Sequence, residues 1–279
     1  MREFNAKAYL QSLSQLDDEN ICPATAALAL ASRGSNTLDF YLAHLDELVT
    51  QTQQQFDRLA TDSRRPTVAA QHEALTTTLF QRFCYQGDRR DYDNLKNADL
   101  AAVIDRRRGI PIALAMLCVY IGRQLSWQVE GVNMPRHFLC RIQAEGQALL
   151  FDPFSAGQIM EPPALRALLK QLLGPDAELA PQHYQGVSNR ALLLRLQNNI
   201  KLRQLQQQDW AAVIDTLKAM LLVDAEEPGL YFELGQVYAK TGQTASAIDV
   251  LEKYLQFDAQ ITEQAAARAL LKKLHGKPH

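Results

Sequence analysis

The sequence is poor in cysteine, in charge of one sign and in long apolar runs, and each shortage excludes a class of protein. Its 279 residues hold four scattered cysteines and no Cys-x-x-Cys pair, so neither a zinc site nor a disulfide framework is indicated, and free thiols are expected. A net charge of −2 gives no attraction to nucleic acid or to an anionic membrane. The longest apolar run, residues 109–122, is shorter than the roughly 20 residues that cross a bilayer, so it predicts a buried helix in a soluble protein.

Signals for export and for cofactors are also missing. The first 20 residues lack the basic start, apolar stretch and cleavage site of a signal peptide, so a reducing cytoplasm is the expected location. The histidines show no ligand spacing, and the chain has no phosphate loop or dinucleotide fingerprint. We therefore predict no metal and no cofactor.

The amino-terminal part of the chain has the pattern of packed helices. Apolar residues return at helical spacing, as at Leu38, Leu42 and Leu45, and predict a helical lobe over residues 1–85. A hydrophobic content of 47% over this length is enough to bury a core in each of two or three structural units.

A mixed region is predicted over residues 86–175. A first helix is expected to end at Gly109, and a more apolar helix then starts at Pro111. After it the apolar period falls from 3.6 to 2, which predicts three short strands. Glu145 and Gly146 suit a hairpin turn between the second and third strands, so those two strands should be antiparallel neighbours.

A repeat is the most specific pattern in the chain. Shifting the sequence by 34 residues, the tetratricopeptide period, places Leu217 on Leu251. Gly235 is expected where the two helices of one repeat approach closely. The repeat predicts tetratricopeptide helices and a capping helix over residues 188–279, and hence a protein or peptide partner.

Four side chains of the predicted repeat groove are expected to face such a partner. The groove is mixed in character and mostly uncharged, so we expect it not to select acidic carboxy-terminal tails. The four residues are Arg195, Asn198, Phe232 and Gln236.

The segment from Arg107 to Phe154 carries three motifs: Arg-x-Gly-Ile-Pro-Ile-x-Leu, Pro-x-His-Phe-Leu and Asp-Pro-Phe. It resembles the transglutaminase-like core and, more narrowly, the bacterial SirB-type family, which joins such a core to tetratricopeptide repeats. The resemblance covers nearly the whole chain. It implies a mostly helical α+β fold with a helical amino lobe, a small antiparallel sheet core and carboxy-terminal repeat helices.

The resemblance also implies a site. In the transglutaminase-like pattern a Cys at a helix start is the nucleophile, a His is the base and an Asp orients the His. His137 and Asp152 match the second and third positions on adjacent strands, while the first falls at or near Pro111. Proline suits a first helical turn but cannot attack a substrate. We expect His137 and Asp152 to be hydrogen bonded, with the free ring nitrogen facing that turn.

Each of these residues also has a structural explanation. His137 lies between apolar strand positions and suits a satisfied structural role, and Asp152 before a proline suits a turn. Cys118 and Cys140 are expected in the core, so neither replaces the nucleophile. The run of residues 106–108 is arginine and ends a helix, where a solvated helix end is favoured over an anion site.

The function that these patterns favour is a non-catalytic cytoplasmic adaptor or regulator, which binds a protein or peptide through its repeats and a degenerate transglutaminase-like cleft. The alternative is a cryptic hydrolase or acyl transferase that uses His137 and Asp152. In a third, weaker interpretation the core only supports the repeats. A cysteine sulfur or serine oxygen hydrogen bonded to the His137 ring would favour the enzyme.

Overall fold

The computed structural model describes residues 5–31, 35–61, 67–257 and 261–276. Two compact units are formed, and the predicted lobe and core lie mostly in the first. They comprise Met1–Lys7 with Asp17–Leu196, and Ala8–Leu16 with Gln197–His279. The helices are α1 (Ala6–Ser12), α2 (Pro23–Ala31), α3 (Ser35–Leu59), α4 (Thr67–Thr76), α5 (Leu100–Arg106), α6 (Pro111–Gln124), α7 (Pro162–Leu173), α8 (Asn189–Gln206), α9 (Trp210–Val223), α10 (Pro228–Lys240), α11 (Thr244–Tyr254) and α12 (Ile261–His275).

The strands of the first unit form a small antiparallel sheet and a separate parallel pair. The sheet has the order β3-β4-β5-β6, and the pair joins β1 to β2. Their bounds are β1 (Gln86–Gly87), β2 (Arg108–Gly109), β3 (Gln128–Met134), β4 (His137–Ala144), β5 (Gln147–Asp152) and β6 (Gln158–Ile159). The mostly helical α+β architecture expected from the sequence is therefore confirmed.

Helix α6 is the centre of the first unit, as its apolar run predicts. Every residue from Pro111 to Gly122 is buried. Pro111 occupies the first turn, where its missing N–H and fixed φ cost nothing. Gly122 allows close packing on β3, because a Cβ there would lie 2.3 Å from a methyl carbon of Val129.

The end of α5 differs from the sequence prediction. Arg107, with φ of 56°, takes the left-handed conformation that ends the helix, whereas Gly109 was expected to do so. Gly109 instead pairs with Gly87 in the parallel ladder. Tertiary contacts explain this helix end. Hydrogen bonds of the Arg107 side chain, described below, hold the residue in place, so the helix ends there without a glycine.

The hairpin between β4 and β5 forms where it was predicted. Ala144 pairs with Gln147, so Glu145 and Gly146 make a two-residue turn with φ of 51° and 75°. Positive φ at both positions is the geometry that matches the twist of the flanking strands. The sequence analysis missed β6 and the parallel pair.

The two faces of the sheet pack against different helices. Helix α6 contacts β3 and β4. On the other face, Leu139 packs in an apolar cluster with Leu165 and Leu169 of α7. Because both faces of the sheet are buried, most strand residues are apolar.

The second unit contains the predicted repeat. Helices α9 and α11 begin at Trp210 and Thr244, which are 34 residues apart. A Cβ at Gly235 would lie 2.6 Å from Leu251, so only glycine allows α10 and α11 to approach this closely. Gly242 makes the turn between them with φ of 76°.

An amino-terminal segment also belongs to the second unit. The short helical turn Leu13–Gln15 contacts α9, and Leu13 is fully buried. Since about three repeats are usually needed for a continuous core, this segment supplies apolar surface that the short repeat array lacks. The sequence alone gave no sign of this packing.

Candidate functional site

The residues at the second and third triad positions lie together in the first unit. His137 Nε2 is 3.1 Å from Asp152 Oδ1, and the two side chains are only 12% and 7% exposed. The ladder pairs Cys140 with Phe151, so Asp152, the next residue of β5, lies near the first residues of β4, where His137 begins the strand. The expected proximity of the two residues is therefore present.

The contact has the distance of the expected hydrogen bond but not a good alignment for it. Nε2 of His137 is buried, and despite the short distance it has no hydrogen bond of good geometry. The pair is best described as an ion pair when the ring of His137 is protonated. Nδ1 of His137 makes no hydrogen bond to any residue in the described parts of the chain. The ring thus keeps hydrogen-bonding capacity for a ligand.

The carboxylate of Asp152 also has the structural role that its sequence context predicts. It caps the short helix Pro153–Ser155, accepting hydrogen bonds from Phe154 N at 2.8 Å and from Ser155 Oγ at 2.9 Å. Burial works to raise the pKa of Asp152, but His137, Ser155 and the Phe154 amide together hold it below its usual value. The carboxylate is therefore stabilised as an anion.

The thiols near this sheet are core residues. Cys118 and Cys140 are both fully buried, and the Cys140 thiol points towards the carbonyl oxygen of Ala115 at 3.9 Å. Burial raises the pKa of Cys140 well above its usual range, and the neighbouring Cys118 and Asp152 add to the effect. A raised pKa keeps the Cys140 thiol protonated at neutral pH, which is the opposite of an activated nucleophile.

Pro111, which the resemblance places at or near the first triad position, is buried. Pro111 starts α6, and α6 contacts the short helix that Asp152 caps. Within the described residues, no cysteine or serine is hydrogen bonded to the His137 ring. That the ring faces the first turn of α6 stays a prediction.

The three consecutive arginines do not form the solvated helix end that was favoured. Arg106 pairs with the buried Asp88 at 3.2 Å. Arg107 enters a buried cluster, donating to Tyr85 Oη at 2.6 Å and to His44 Nε2 at 2.8 Å. Arg108 lines a surface cleft. One charged run therefore has three separate environments, and sequence position alone could not distinguish them.

The cluster around Arg107 is structural. Tyr85 is 1% exposed, and burial raises its pKa above the usual range. The pKa of His44 is lowered by burial and by the charge of Arg107, against a smaller opposite effect of Glu47. A neutral ring can accept the Arg107 hydrogen bond, and Arg107 Nη1 also donates to the carbonyl oxygen of Ile104 at 2.7 Å.

The predicted groove residues fall into both units. Arg195 belongs to the first, and Asn198, Phe232 and Gln236 belong to the second. Gln236 is exposed on α10, whereas the Phe232 ring is half-buried with its centroid 5.3 Å from that of Tyr254. The sequence analysis missed the ion pair of Lys201 with Glu233 on the same pair of helices, α8 and α10.

No group of three or more metal-ligating side chains is found among the described residues. No helix in the described part of the chain is both long and apolar enough to cross a membrane.

Known proteins share both parts of this architecture. The profile of the transglutaminase-like superfamily matches residues 39–198, and a tetratricopeptide repeat profile matches residues 200–274. A UPF0162 protein of Pseudomonas aeruginosa is 32% identical over 234 residues, 82% of this chain and 76% of that one. One from Xylella fastidiosa is 28% identical over 250 residues, 88% of this chain and 87% of that one.

A eukaryotic similarity is shorter. Human F-box only protein 21 is 41% identical over 83 residues, which are 29% of this chain and 13% of that protein. No solved structure gives a significant match. Because the superfamily profile covers more than half of the sequence and the site lies within it, the chain belongs to the transglutaminase-like superfamily.

Proposed function

We propose that this chain is a non-catalytic cytoplasmic adaptor or regulatory protein of the SirB type, which binds a protein or peptide partner. Its repeats and its degenerate transglutaminase-like site both take part. The observation that carries the proposal is the 3.1 Å contact of His137 with Asp152, in a chain that has Pro111, which cannot act as a nucleophile, at the helix start where the resemblance places the cysteine.

The retained pair supports binding in preference to chemistry. A thiolate nucleophile needs a lowered pKa, and the buried Cys140 has a raised one. His137 nevertheless keeps an unused ring nitrogen, and Asp152 keeps its charge. Such a site can donate to and accept from a peptide group without forming a covalent bond.

The repeat unit supports a macromolecular partner. Tetratricopeptide repeats of other proteins bind peptides along the first helices of each repeat, and α10 is such a helix here. It presents the exposed Gln236 next to the half-buried Phe232. A polar side chain beside an aromatic one is typical of a binding surface that is not selective for charge.

The proposal is tested by affinity capture from a bacterial extract with the full chain as bait. Gln236→Lys on α10 is compared with Asp249→Lys, an exposed change on α11. We expect proteins captured by the wild type to be lost with Gln236→Lys and kept with Asp249→Lys. Equal capture by both variants would contradict a repeat-mediated partner. Thermal unfolding of each variant checks that the fold is unchanged.

A second candidate is a hydrolase or acyl transferase in which His137 activates water. The 3.1 Å contact with Asp152 favours it, because an oriented histidine can act as a general base. Hydrolysis of a panel of activated acyl esters and thioesters by the wild type and by His137→Gln would decide. Turnover that disappears with His137→Gln would support the enzyme and overturn the adaptor.

A further inference from the structure

A surface cleft of about 430 Å³ lies in the first unit, next to the helix that Asp152 caps. It is lined by β1 and the loop after it, by β2 and by the Phe154–Ser155 turn. The volume is suited to a small molecule. Neither the transglutaminase-like pattern nor the repeats account for this cleft.

The charge of the cleft is strongly positive. Three arginines line it, Arg89, Arg90 and Arg108, with Asp88 the single acidic residue. Asp88 is already neutralised by Arg106 at 3.2 Å. The three lining guanidinium groups therefore lack a compensating anion in the cleft, although the protein as a whole has a net charge of only −2.

Two of these groups are available to a ligand. The side chains of Arg90 and Arg108 form no ion pair or hydrogen bond with any residue that the structure describes. Arg108 is half-buried and comes from β2, whereas Arg90 is exposed and comes from the loop after β1. Guanidinium groups from different elements can bind one anion from two sides.

Arg89, Ser155 and Phe154 form the remaining wall and contact one another. Arg89 Nη2 donates to Ser155 Oγ at 2.9 Å, and that hydroxyl donates to Asp152 Oδ2 at 2.9 Å. The guanidinium carbon of Arg89 also stacks 4.9 Å from the centre of the Phe154 ring. Gly87 makes room for this ring, because a Cβ there would lie 2.4 Å from it. The wall thus offers a cation and an apolar surface that are already in contact with each other.

We propose that this cleft binds a phosphoryl group carried by a small molecule, with Arg90 and Arg108 as its principal ligands. Two free guanidinium groups match the charge of a phosphate monoester, which is about −1.5 to −2 at neutral pH. A single carboxylate would leave one of them uncompensated. The ring of Phe154 supports the organic part of the molecule.

The test is calorimetric titration of the full chain with inorganic phosphate, phenyl phosphate, succinate and acetate. Phosphate and phenyl phosphate should bind, with phenyl phosphate tighter because of Phe154. Arg90→Gln and Arg108→Gln should each weaken both by at least tenfold. Arg166→Gln, an exposed arginine of α7 outside the cleft, should leave binding unchanged. Because surface charges are screened by salt, affinity should fall between low and physiological ionic strength.

Several outcomes would overturn the proposal. These are absence of phosphate binding, binding that survives the combined Arg90→Gln and Arg108→Gln change, and tighter binding of succinate or acetate than of phosphate. Circular dichroism and thermal unfolding of each variant show whether a loss of binding comes from a loss of fold. Since Arg90 is exposed, its single variant should fold in any case.

Discussion

Two histidines of the first unit are almost equally buried but differ in their hydrogen bonding. The side chain of His44 is 9% exposed and that of His137 is 12% exposed. His44 Nε2 receives a hydrogen bond from Arg107 and lies 3.0 Å from Tyr85 Oη. His137 Nε2, in contrast, lies beside Asp152 without aligned hydrogen bonding.

The comparison distinguishes a histidine with a structural role from one whose hydrogen-bonding capacity is partly unused. Buried polar groups are normally satisfied, and each exception calls for an explanation. The His44 cluster contributes to stability because His44 Nε2, Tyr85 Oη and Arg107 Nη1 are hydrogen bonded within it. We propose that the His137 site gives up part of that stability and keeps hydrogen-bonding capacity for a partner, a trade that is common at functional sites.

The largest effect is expected from breaking the first cluster. Arg107→Met should lower the free energy of unfolding by about 3 kcal/mol, because it removes charged hydrogen bonds and leaves Tyr85 and His44 under-satisfied. Urea unfolding measures the change. Arg166→Met on the exposed face of α7 is the control and should change stability little. A loss no larger than that of the control would show that the cluster is not structural.

A smaller loss is expected from Asp152. Asp152→Ala should cost about 1 to 2 kcal/mol, because it removes the cap of the Pro153–Ser155 helix. Asp152→Asn keeps an acceptor for the Phe154 amide and should cost less. The folded pKa of Asp152 is lowered, so its contribution is complete above about pH 4 and lost below it. Acid unfolding of Asp152→Asn should therefore be less steep than that of the wild type.

His44 is expected to make stability depend on pH at higher pH values than Asp152 does. Since burial and Arg107 lower the pKa of His44, the unfolded chain binds the proton more tightly than the folded chain. Stability should be complete above about pH 6.5 and fall as the pH decreases towards 5. His44→Gln should flatten this fall. His72, whose pKa burial also lowers, titrates in the same window, so His72→Gln is measured in parallel.

The smallest effect on stability is expected at His137. His137→Gln should lower the free energy of unfolding by about 0.5 to 1 kcal/mol, because the charge that helps to hold down the pKa of the buried Asp152 is lost while the Gln amide can still donate to the carboxylate. The same change should reduce partner capture if the site binds. A large destabilisation would mean that His137 is a structural residue like His44.

Local patterns predicted much of this fold. The apolar run of α6, the Glu145–Gly146 turn and the 34-residue repeat each lie within a short stretch of sequence, and each is present. Two-residue strands such as β1 and β6 are too short to show a period of two. The packing of Leu13 in the second unit depends on residues about 200 positions away, for which no local pattern exists.

The candidate site was only partly predictable. The closeness of His137 and Asp152 followed from the resemblance to the transglutaminase-like core, because that core sets the strand order. The environments of Arg106, Arg107 and Arg108 did not follow, since consecutive residues at a helix end diverge according to tertiary contacts. The cleft lined by Arg108 could be found only once β1 and β2 were paired.

The central claim is that the site keeps a transglutaminase-like arrangement of His137, Asp152 and the first turn of α6 but has lost the nucleophile. It is tested most directly by Pro111→Cys, which places a thiol in the first turn of α6. The pKa of that thiol is measured from the pH dependence of its alkylation, with the exposed Cys84 in the same molecule as reference. The account predicts a pKa below that of Cys84, because the helix dipole and His137 favour the thiolate, and predicts that His137→Gln weakens the effect. A pKa equal to or above that of Cys84 would contradict it.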